Sequence, residues 1–329
     1  MEFGIQLANM EPARFRAIAQ AAEGLGYDLV TFPDHIVMEG PEKQYDPHTL
    51  AYDMTLIAAI VADATKRIRV GHLVLCNLFR HPVITAQSLT TLDNISGGRA
   101  IAGLGTGWTE REFRMTGIPF PPITDRLRML DEALTCMRSL WTNEETTFAG
   151  EFYQFRDAIL WPKPKQKPYP PIVLGGNGKG LLRIAAKHAD VINIVSEAGT
   201  KGHISLDEMK RMTSNAFREK VDFVREEAKR HGRDPNAIAI SNVVFNLVLT
   251  DSREATRKTL EAAAPMFRTS PEALAYAPLS LIGTPEECAV ELRRRAKEWS
   301  VSQFIFSGAM APLDEQALRR LKEQVLAHV

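Results

Sequence analysis

The stretch Ile68–Leu104, IRVGHLVLCNLFRHPVITAQSLTTLDNISGGRAIAGL, contains a strand, a helix and a second strand in succession. Ile68–Cys76 is rich in apolar and β-branched side chains, which predicts a buried strand. Apolar residues then recur with helical spacing over Val83–Ile95, and Ala100–Leu104 is again a short apolar run. A strand, a helix and a strand in this order are typical of a parallel sheet.

The same alternation extends along the whole chain and predicts the fold class. Strands are expected at Glu2–Leu7, Asp28–Phe32, Ile68–Cys76, Ala100–Leu104, Ile172–Leu174, Val191–Val195, Ala239–Leu249 and Gln303–Phe306. Helices are expected at Pro12–Leu25, Met54–Thr65, Val83–Ile95, Asp125–Trp141, Gly180–His188, Leu206–Arg230, Pro285–Glu298 and Asp314–Ala327. Eight strand–helix repeats predict an α/β fold, the closed (β/α)8 TIM barrel.

We expect one domain over residues 1–329, because such barrels commonly use roughly 250 residues and tolerate insertions. Two stretches exceed the minimal repeat, at about residues 143–170 and 196–236. The first contains a predicted hairpin at Thr146–Tyr153. A proline-rich, extended connection follows it, and the strand–helix alternation of the same barrel continues on both sides. Neither stretch has the composition of a linker between domains.

Composition excludes several classes of function. The 40 basic residues balance 40 acidic ones, so the chain has no net field to attract nucleic acid or an anionic membrane. No apolar run approaches the roughly 18 residues that a membrane span needs, and the amino terminus lacks the features of a signal peptide. The three cysteines show no paired spacing and the histidines no metal-ligand spacing. We therefore expect a cytoplasmic protein that holds no metal.

Candidate chemistry lies in the loops that follow the strands, since barrel active sites are built at the carboxyl ends of the strands. Asp34 and His35 follow the second strand, and histidine exchanges protons near neutral pH. A hydrogen-bonded loop pair is an equally good explanation of these two residues. The glycine-rich loop 103–108 would let a flat ring or a phosphate approach the backbone, and a tight turn into a helix is the alternative explanation. The loop 175–180 precedes a helix whose positive end would hold a phosphate, and a flexible surface loop explains it equally well.

Several known motifs do not fit these loops. The stretch Gly103–Gly107 lacks the G-x-G-x-x-G spacing of dinucleotide-binding folds, and the loop at 175–180 lacks the closing G-K-[ST] of a P-loop. No nucleophile elbow occurs, which disfavours covalent hydrolysis. The remaining layout favours a bound cofactor that supplies its own redox chemistry.

The segment Arg80–Arg99, which runs into Gly103–Trp108, closely resembles the bacterial luciferase-like monooxygenase superfamily. Pro33–His35, Pro170–Gly176 and Gly283–Glu286 agree with the same pattern, and the resemblance covers nearly the whole chain. Members are barrels that bind reduced flavin mononucleotide (FMN) or the deazaflavin coenzyme F420. This sequence is most similar to the F420-dependent oxidoreductase branch, and the resemblance also implies a homodimer.

The resemblance implies a role for each matching position. His35 would be the catalytic residue, assisting proton transfer or binding substrate, and Asp34 would contact the cofactor ring. A non-proline cis peptide bond would lie near Leu73–Val74 and support one face of that ring. Cofactor binding is thus expected at Asp34, Leu73, Val74, Thr106, Gly107, Trp108, Gly175, Gly176 and Asn177. Some sugar-phosphate-oxidising relatives carry glutamate where Trp108 stands, which argues against that substrate here.

Three functions follow from these expectations. With F420 the chain would transfer a hydride to or from a small organic substrate, and with reduced FMN it would be a monooxygenase that uses molecular oxygen. The third is a non-catalytic flavin-binding barrel, against which the intact Asp34–His35 pair argues. Residues 37–52, 196–215 and 267–281 are expected to line the substrate pocket.

Overall fold

A computed structural model describes residues 1–40, 42, 44–195, 205–308 and 313–329. Its strands, in chain order, are β1 (Glu2–Gln6), β2 (Leu29–Phe32), β3 (Arg69–His72), β4 (Leu75–Cys76), β5 (Ala100–Gly105), β6 (Thr146–Ala149), β7 (Gln154–Ala158), β8 (Ile172–Gly176), β9 (Val191–Ile194), β10 (Ala239–Val244), β11 (Asn246–Leu249), β12 (Ser280–Gly283) and β13 (Val301–Ser307).

The parallel strands close into a ring. β1 pairs with both β2 and β13, the order continues through β10, β9, β8 and β5, and β5 returns to β3. β3 and β4 together occupy one position of the ring, since both pair with β5. The predicted eight-stranded parallel barrel is therefore confirmed.

Helices surround this ring. They are α1 (Pro12–Gly24), α2 (Met54–Ala64), α3 (Pro82–Ser96), α4 (Glu110–Thr116), α5 (Ile123–Thr142), α6 (Lys179–His188), α7 (Leu206–Met209), α8 (Ser214–Arg230), α9 (Arg253–Ala263), α10 (Pro271–Ala275), α11 (Pro285–Trp299) and α12 (Glu315–Gln324). Seven of the eight predicted helices correspond to α1, α2, α3, α5, α6, α11 and α12, and the eighth, predicted as one helix over Leu206–Arg230, is divided into α7 and α8. No helix in the described part of the chain is long and apolar enough to cross a membrane.

Two hydrophobic layers hold the barrel together. The larger core lies between the ring of strands and the outer helices, where the apolar faces of the helices are buried. A second cluster fills the inside of the ring with Leu29, Ile101, Val173, Val191, Val243 and Ile305. Because side chains fill the interior, a small molecule can bind only at a rim of the barrel.

The structure differs from the sequence-based prediction in the segment after β10. The predicted strand Ala239–Leu249 ends at Val244, and β11 pairs with β12 in a separate two-stranded parallel sheet. Phe245 and Asn246 both donate their backbone N–H to Leu279 O, which directs the chain away from β13. The apolar run continues through this break, so no local signal marks it. The sequence also missed α4, α9, α10 and β12.

The two predicted insertions have different structures. In the first, β6 and β7 form an antiparallel hairpin that is longer than predicted, with its turn at residues 150–153 held by Glu132, whose carboxylate accepts from three backbone amides. In the second, residues 196–204 lie outside the described part of the chain, and α8 is the barrel helix that follows β9.

Candidate active site

Asp34 and Arg80 join the loops that follow β2 and β4. The guanidinium of Arg80 donates to both oxygens of Asp34, at 2.7 and 3.1 Å, and Cys76 N donates to Oδ2 at 2.9 Å. Burial works against the charge of Arg80, but its bond to Asp34 outweighs this and raises the pKa of the guanidinium. Asp34 is buried, and its hydrogen bonds link the loop after β2 to the segment around β4.

His35 faces a carboxylate that the sequence analysis did not single out. His35 Nδ1 lies 3.2 Å from both Oε1 and Oε2 of Glu112, a buried residue in the first turn of α4. Glu112 Oε1 also accepts from Ile36 N at 2.6 Å and from Val37 N at 3.2 Å. The carboxylate thereby fixes both the ring of His35 and the backbone that follows it.

The glycine-rich loop after β5 lies beside His35. The Trp108 indole meets the His35 ring edge-on, with 5.5 Å between the ring centroids. Gly107 has a φ of 73°, and a side chain there would place its Cβ 2.6 Å from Cys76 Sγ. Only glycine adopts this conformation without strain and fits this space. Thr106 is partly exposed between the barrel strand and Gly107.

The cis peptide bond expected at Leu73–Val74 is present, between β3 and β4. Gln6 Nε2 donates to Leu73 O at 2.8 Å. The methyl groups of Val74 lie against glycines of two other strands: a Cβ on Gly105 would come within 2.6 Å of Val74 Cγ2, and one on Gly175 within 3.0 Å of Cγ1. The loops after the third, fourth and fifth barrel strands therefore converge at Val74.

The loop after β8 leads into an uncapped helix end. Gly178, the residue that precedes α6, has no side chain that could cap the helix, so within the described ranges the first amides of α6 lack a capping side chain. Asn177 is buried and donates to Val195 O at 3.2 Å, while Lys220 Nζ donates to Asn177 O at 3.0 Å. Uncapped amides at the positive end of a helix suit an anionic group.

Arg126 provides a second feature that suits an anion. The residue is 7% exposed, its guanidinium stacks 4.1 Å from the centre of the Phe120 ring and donates to Gly107 O, and its Nε has no hydrogen-bond partner among the described residues. Burial lowers the pKa of this guanidinium, and no acidic side chain among the described residues pairs with it. Its neighbour Leu127 touches Gly180 in the first turn of α6. These residues fit the phosphate of a flavin or deazaflavin.

Sequence reasoning missed Arg80, Glu112 and Arg126 as residues of this site. Arg80 was quoted only as part of a family motif, and Arg126 lay unremarked within the predicted helix Asp125–Trp141. Glu112 lies beside the buried Phe113 on α4. The helical pattern of residues 110–116 was the feature of the sequence that could have indicated a helix here. The described part of the chain holds no cluster of three or more His, Cys, Asp or Glu that would bind a metal.

Comparison with known proteins identifies the family. The sequence model of the luciferase-like monooxygenase family matches residues 2–303 of this chain. The chain belongs to this family. The resemblance found in the sequence is thus confirmed, and with it the assignment of the chain to an enzyme family.

Individual relatives of this luciferase-like chain differ in cofactor. An F420-dependent glucose-6-phosphate dehydrogenase from Intrasporangium calvum is 32% identical over 68% of this chain and 67% of its own length. An FMNH2-dependent dimethylsulfone monooxygenase from Pseudomonas putida is 28% identical over 79% of this chain, which spans 64% of that relative. The coenzyme F420-dependent tetrahydromethanopterin reductase from Methanopyrus kandleri shares the fold, with a TM-score of 0.76, 20% identity and 99% of each chain covered.

Proposed function

We propose that this luciferase-like protein is an F420-dependent oxidoreductase that transfers a hydride between the deazaflavin and a small organic substrate. The observation that carries the proposal is His35, held at the barrel rim by Glu112 beside the convergence of the glycine loops. Hydride transfer to a carbonyl or from an alcohol requires a group that exchanges the accompanying proton, and histidine does so near neutral pH. The relative at 32% identity favours F420 over FMN.

The chain offers a place for each part of this cofactor. The phosphate would lie against the first turn of α6 and Arg126, and the flat ring would lie near Val74 and Asp34, with Thr106, Gly107 and Trp108 on one side and Gly175, Gly176 and Asn177 on the other. When bound, F420 supplies the hydride chemistry. The protein would hold the ring, exclude water and move a proton at His35.

The substrate class is a small carbonyl or alcohol. Trp108 packs against His35 at the position where some sugar-phosphate-oxidising relatives carry glutamate. An indole cannot exchange a proton as a carboxylate does, so we do not assign a sugar phosphate to this pocket.

A second candidate is a reduced-FMN-dependent monooxygenase, which the Pseudomonas putida relative favours. Both cofactors carry a flat tricyclic ring and a phosphate, so the same pocket would fit either. The two cofactors differ in their reaction with molecular oxygen, which reduced FMN activates and the deazaflavin does not.

Equilibrium titration tests the proposal. Purified protein is titrated separately with F420 and FMN, each oxidised and reduced, and followed by absorbance and fluorescence. We expect micromolar or tighter binding of F420 alone, and a change in the redox state of bound F420 when a panel of carbonyls and alcohols is added. Preferential binding of reduced FMN would replace the proposal with the monooxygenase.

A further inference from the structure

We infer that Glu112 is a positioning residue that holds His35 in one tautomer, with the proton on Nδ1 and with Nε2 directed to the substrate. The chemical use of Nε2 rests on the proposed function. The tautomer itself depends only on contacts within the chain.

The contacts of Glu112 determine that its carboxylate accepts a hydrogen bond from the His35 ring. The side chain is 3% exposed, against 18% for His35, and the backbone amides of Ile36 and Val37 donate to Oε1. An ionised carboxylate only accepts hydrogen bonds, so the ring nitrogen that faces it must donate. His35 Nδ1 therefore carries a proton in the neutral ring, and Nε2 carries the lone pair.

The other ring nitrogen is left for the substrate. Within the described ranges, His35 Nε2 has no hydrogen-bond partner, and the nearest aromatic contact is the edge of Trp108. A neutral imidazole with this tautomer accepts a proton at Nε2 and returns it from the same atom after protonation. The carboxylate behind Nδ1 stabilises the charged ring in between, as in other carboxylate–histidine pairs.

The position of Glu112 is fixed by its own helix. Arg111, the preceding residue, donates from Nε to Glu39 Oε2 at 2.7 Å. Consecutive residues of α4 thus bind both ends of the segment 35–39. This double attachment prevents α4 and the histidine loop from moving independently, which keeps Nδ1 and the carboxylate in register.

Substitution of Glu112 by Gln should reverse the tautomer without opening the loop. The amide oxygen of Gln can still accept from Ile36 N and Val37 N, so its NH2 group would face His35. An NH2 group at the Oε2 position would lie 3.2 Å from Nδ1 and donates, which favours an accepting Nδ1 and a ring proton on Nε2. The Glu110→Gln variant is the matched control, since it removes an exposed carboxylate from the same helix turn.

Nuclear magnetic resonance of protein labelled with ¹⁵N-histidine reads the tautomer without cofactor, in long-range ¹H–¹⁵N spectra recorded at mildly alkaline pH. The His35 signals are identified by their loss in His35→Asn. We expect Nδ1–H in the wild type and in Glu110→Gln, and Nε2–H in Glu112→Gln. An Nε2–H wild-type ring would overturn the inference, even if the Gln variant fails to fold.

Kinetics provide the second measurement. Glu112→Gln should lower kcat by about 10²-fold or more, as expected when a histidine holds its proton on the wrong nitrogen, with KM and cofactor Kd within a few-fold. A reversed tautomer with unchanged kcat would overturn the positioning role. If the wild type neither binds nor turns over F420, the proposed function fails, and the tautomer alone decides the inference.

Discussion

Among the residues that the structure describes, His35 combines a fixed ring with one ring nitrogen that has no hydrogen-bond partner. Its Nδ1 is directed at Glu112, its ring makes a T-shaped contact with Trp108, and 18% of its side chain is exposed. A histidine with both nitrogens bound would be a structural residue. One with a free Nε2 at a barrel rim can exchange protons with a bound molecule.

Replacing His35 by Ala should lower turnover by about 10²–10⁴-fold, the usual contribution of a general acid or base. Cofactor affinity should stay within a few-fold, because Glu112 keeps its bonds to the backbone of Ile36 and Val37. Steady-state kinetics and cofactor titration measure the two effects. His231→Ala, at the exposed end of α8, is the control. An unchanged turnover number would remove His35 from the mechanism.

At the scale of single residues, the sequence identified His35 and missed its partner. Histidine after a barrel strand is a recognisable signal, since few side chains exchange protons near neutral pH. Glu112 is one of many acidic residues on predicted surface helices. The two residues are 77 positions apart, and only the convergence of two barrel loops brings them together.

Arg99, the last residue of the motif segment Arg80–Arg99, links the ends of three elements. The Arg99 side chain donates to the carbonyls of Ala62, Thr65, Ile68 and Ser96, at 2.5 to 3.0 Å. It thereby joins the end of α2, the start of β3 and the end of α3. These contacts lie at the amino-terminal end of the barrel, where a motif residue stabilises the fold rather than the reaction.

Arg99→Met should destabilise the protein by about 3 kcal/mol, since each of several backbone carbonyls loses a charged donor. Urea unfolding measures the change. kcat of the folded variant should equal that of the wild type within two-fold, because Arg99 lies at the opposite end from His35. A loss of kcat without a loss of stability would contradict this assignment.

Gly107 and Gly117 form a matched pair for testing the loop after β5. Both have a positive φ, 73° and 71°, but only Gly107 lacks room for a side chain, and nothing lies within 4 Å of a Cβ on Gly117. Gly117→Ala should cost about 1 kcal/mol for the backbone conformation alone. Gly107→Ala should cost more and weaken cofactor binding.

The Cys76→Ala substitution provides the test of this explanation. In the Gly107→Ala background it removes the sulfur that a Cβ on residue 107 would meet at 2.6 Å, and should recover part of the lost stability in urea unfolding. Equal destabilisation by Gly107→Ala and Gly117→Ala would show that crowding against Cys76 has no effect.

At the scale of elements, periodicity predicted the eight barrel strands and their helices. It failed where an element leaves the barrel. β11 continues the apolar pattern of β10 but pairs with β12, because residues 245 and 246 donate to Leu279 O. Short elements such as α10 and β12 also carry too few residues for a periodic signal.

For the molecule as a whole, buried histidines predict that stability falls in mild acid. Burial lowers the pKa of His72 and His188, although a hydrogen bond to Asp131 partly opposes this at His188. The unfolded chain therefore takes up protons first as pH falls. Stability is fully retained above the pKa of histidine in the unfolded chain, about 6.5, and is lost progressively as pH falls below that value.

Urea unfolding between pH 8 and pH 5 measures this loss. Fully buried His72 alone should contribute a slope of up to about 1.4 kcal/mol per pH unit below its unfolded pKa, and His72→Gln should flatten the curve. A separate loss should appear only in stronger acid, below the unfolded carboxyl pKa of about 3.9, because the hydrogen bonds from His188 and Lys187 outweigh the opposing effect of burial and lower the pKa of Asp131 to about 2. Constant stability from pH 8 to pH 5 would contradict the prediction.

The sequence by itself determined the alternation of strands and helices, the glycine loops at the strand ends and the histidine among them. Each of these is a local property, since periodicity and backbone preference act over a few residues. Tertiary structure decided which carboxylate holds His35, which arginine neutralises Asp34 and which arginine has no acidic partner in the described part of the chain. These pairings join residues 46 and 77 positions apart, and they follow from closure of the barrel, which brings successive loops to one rim.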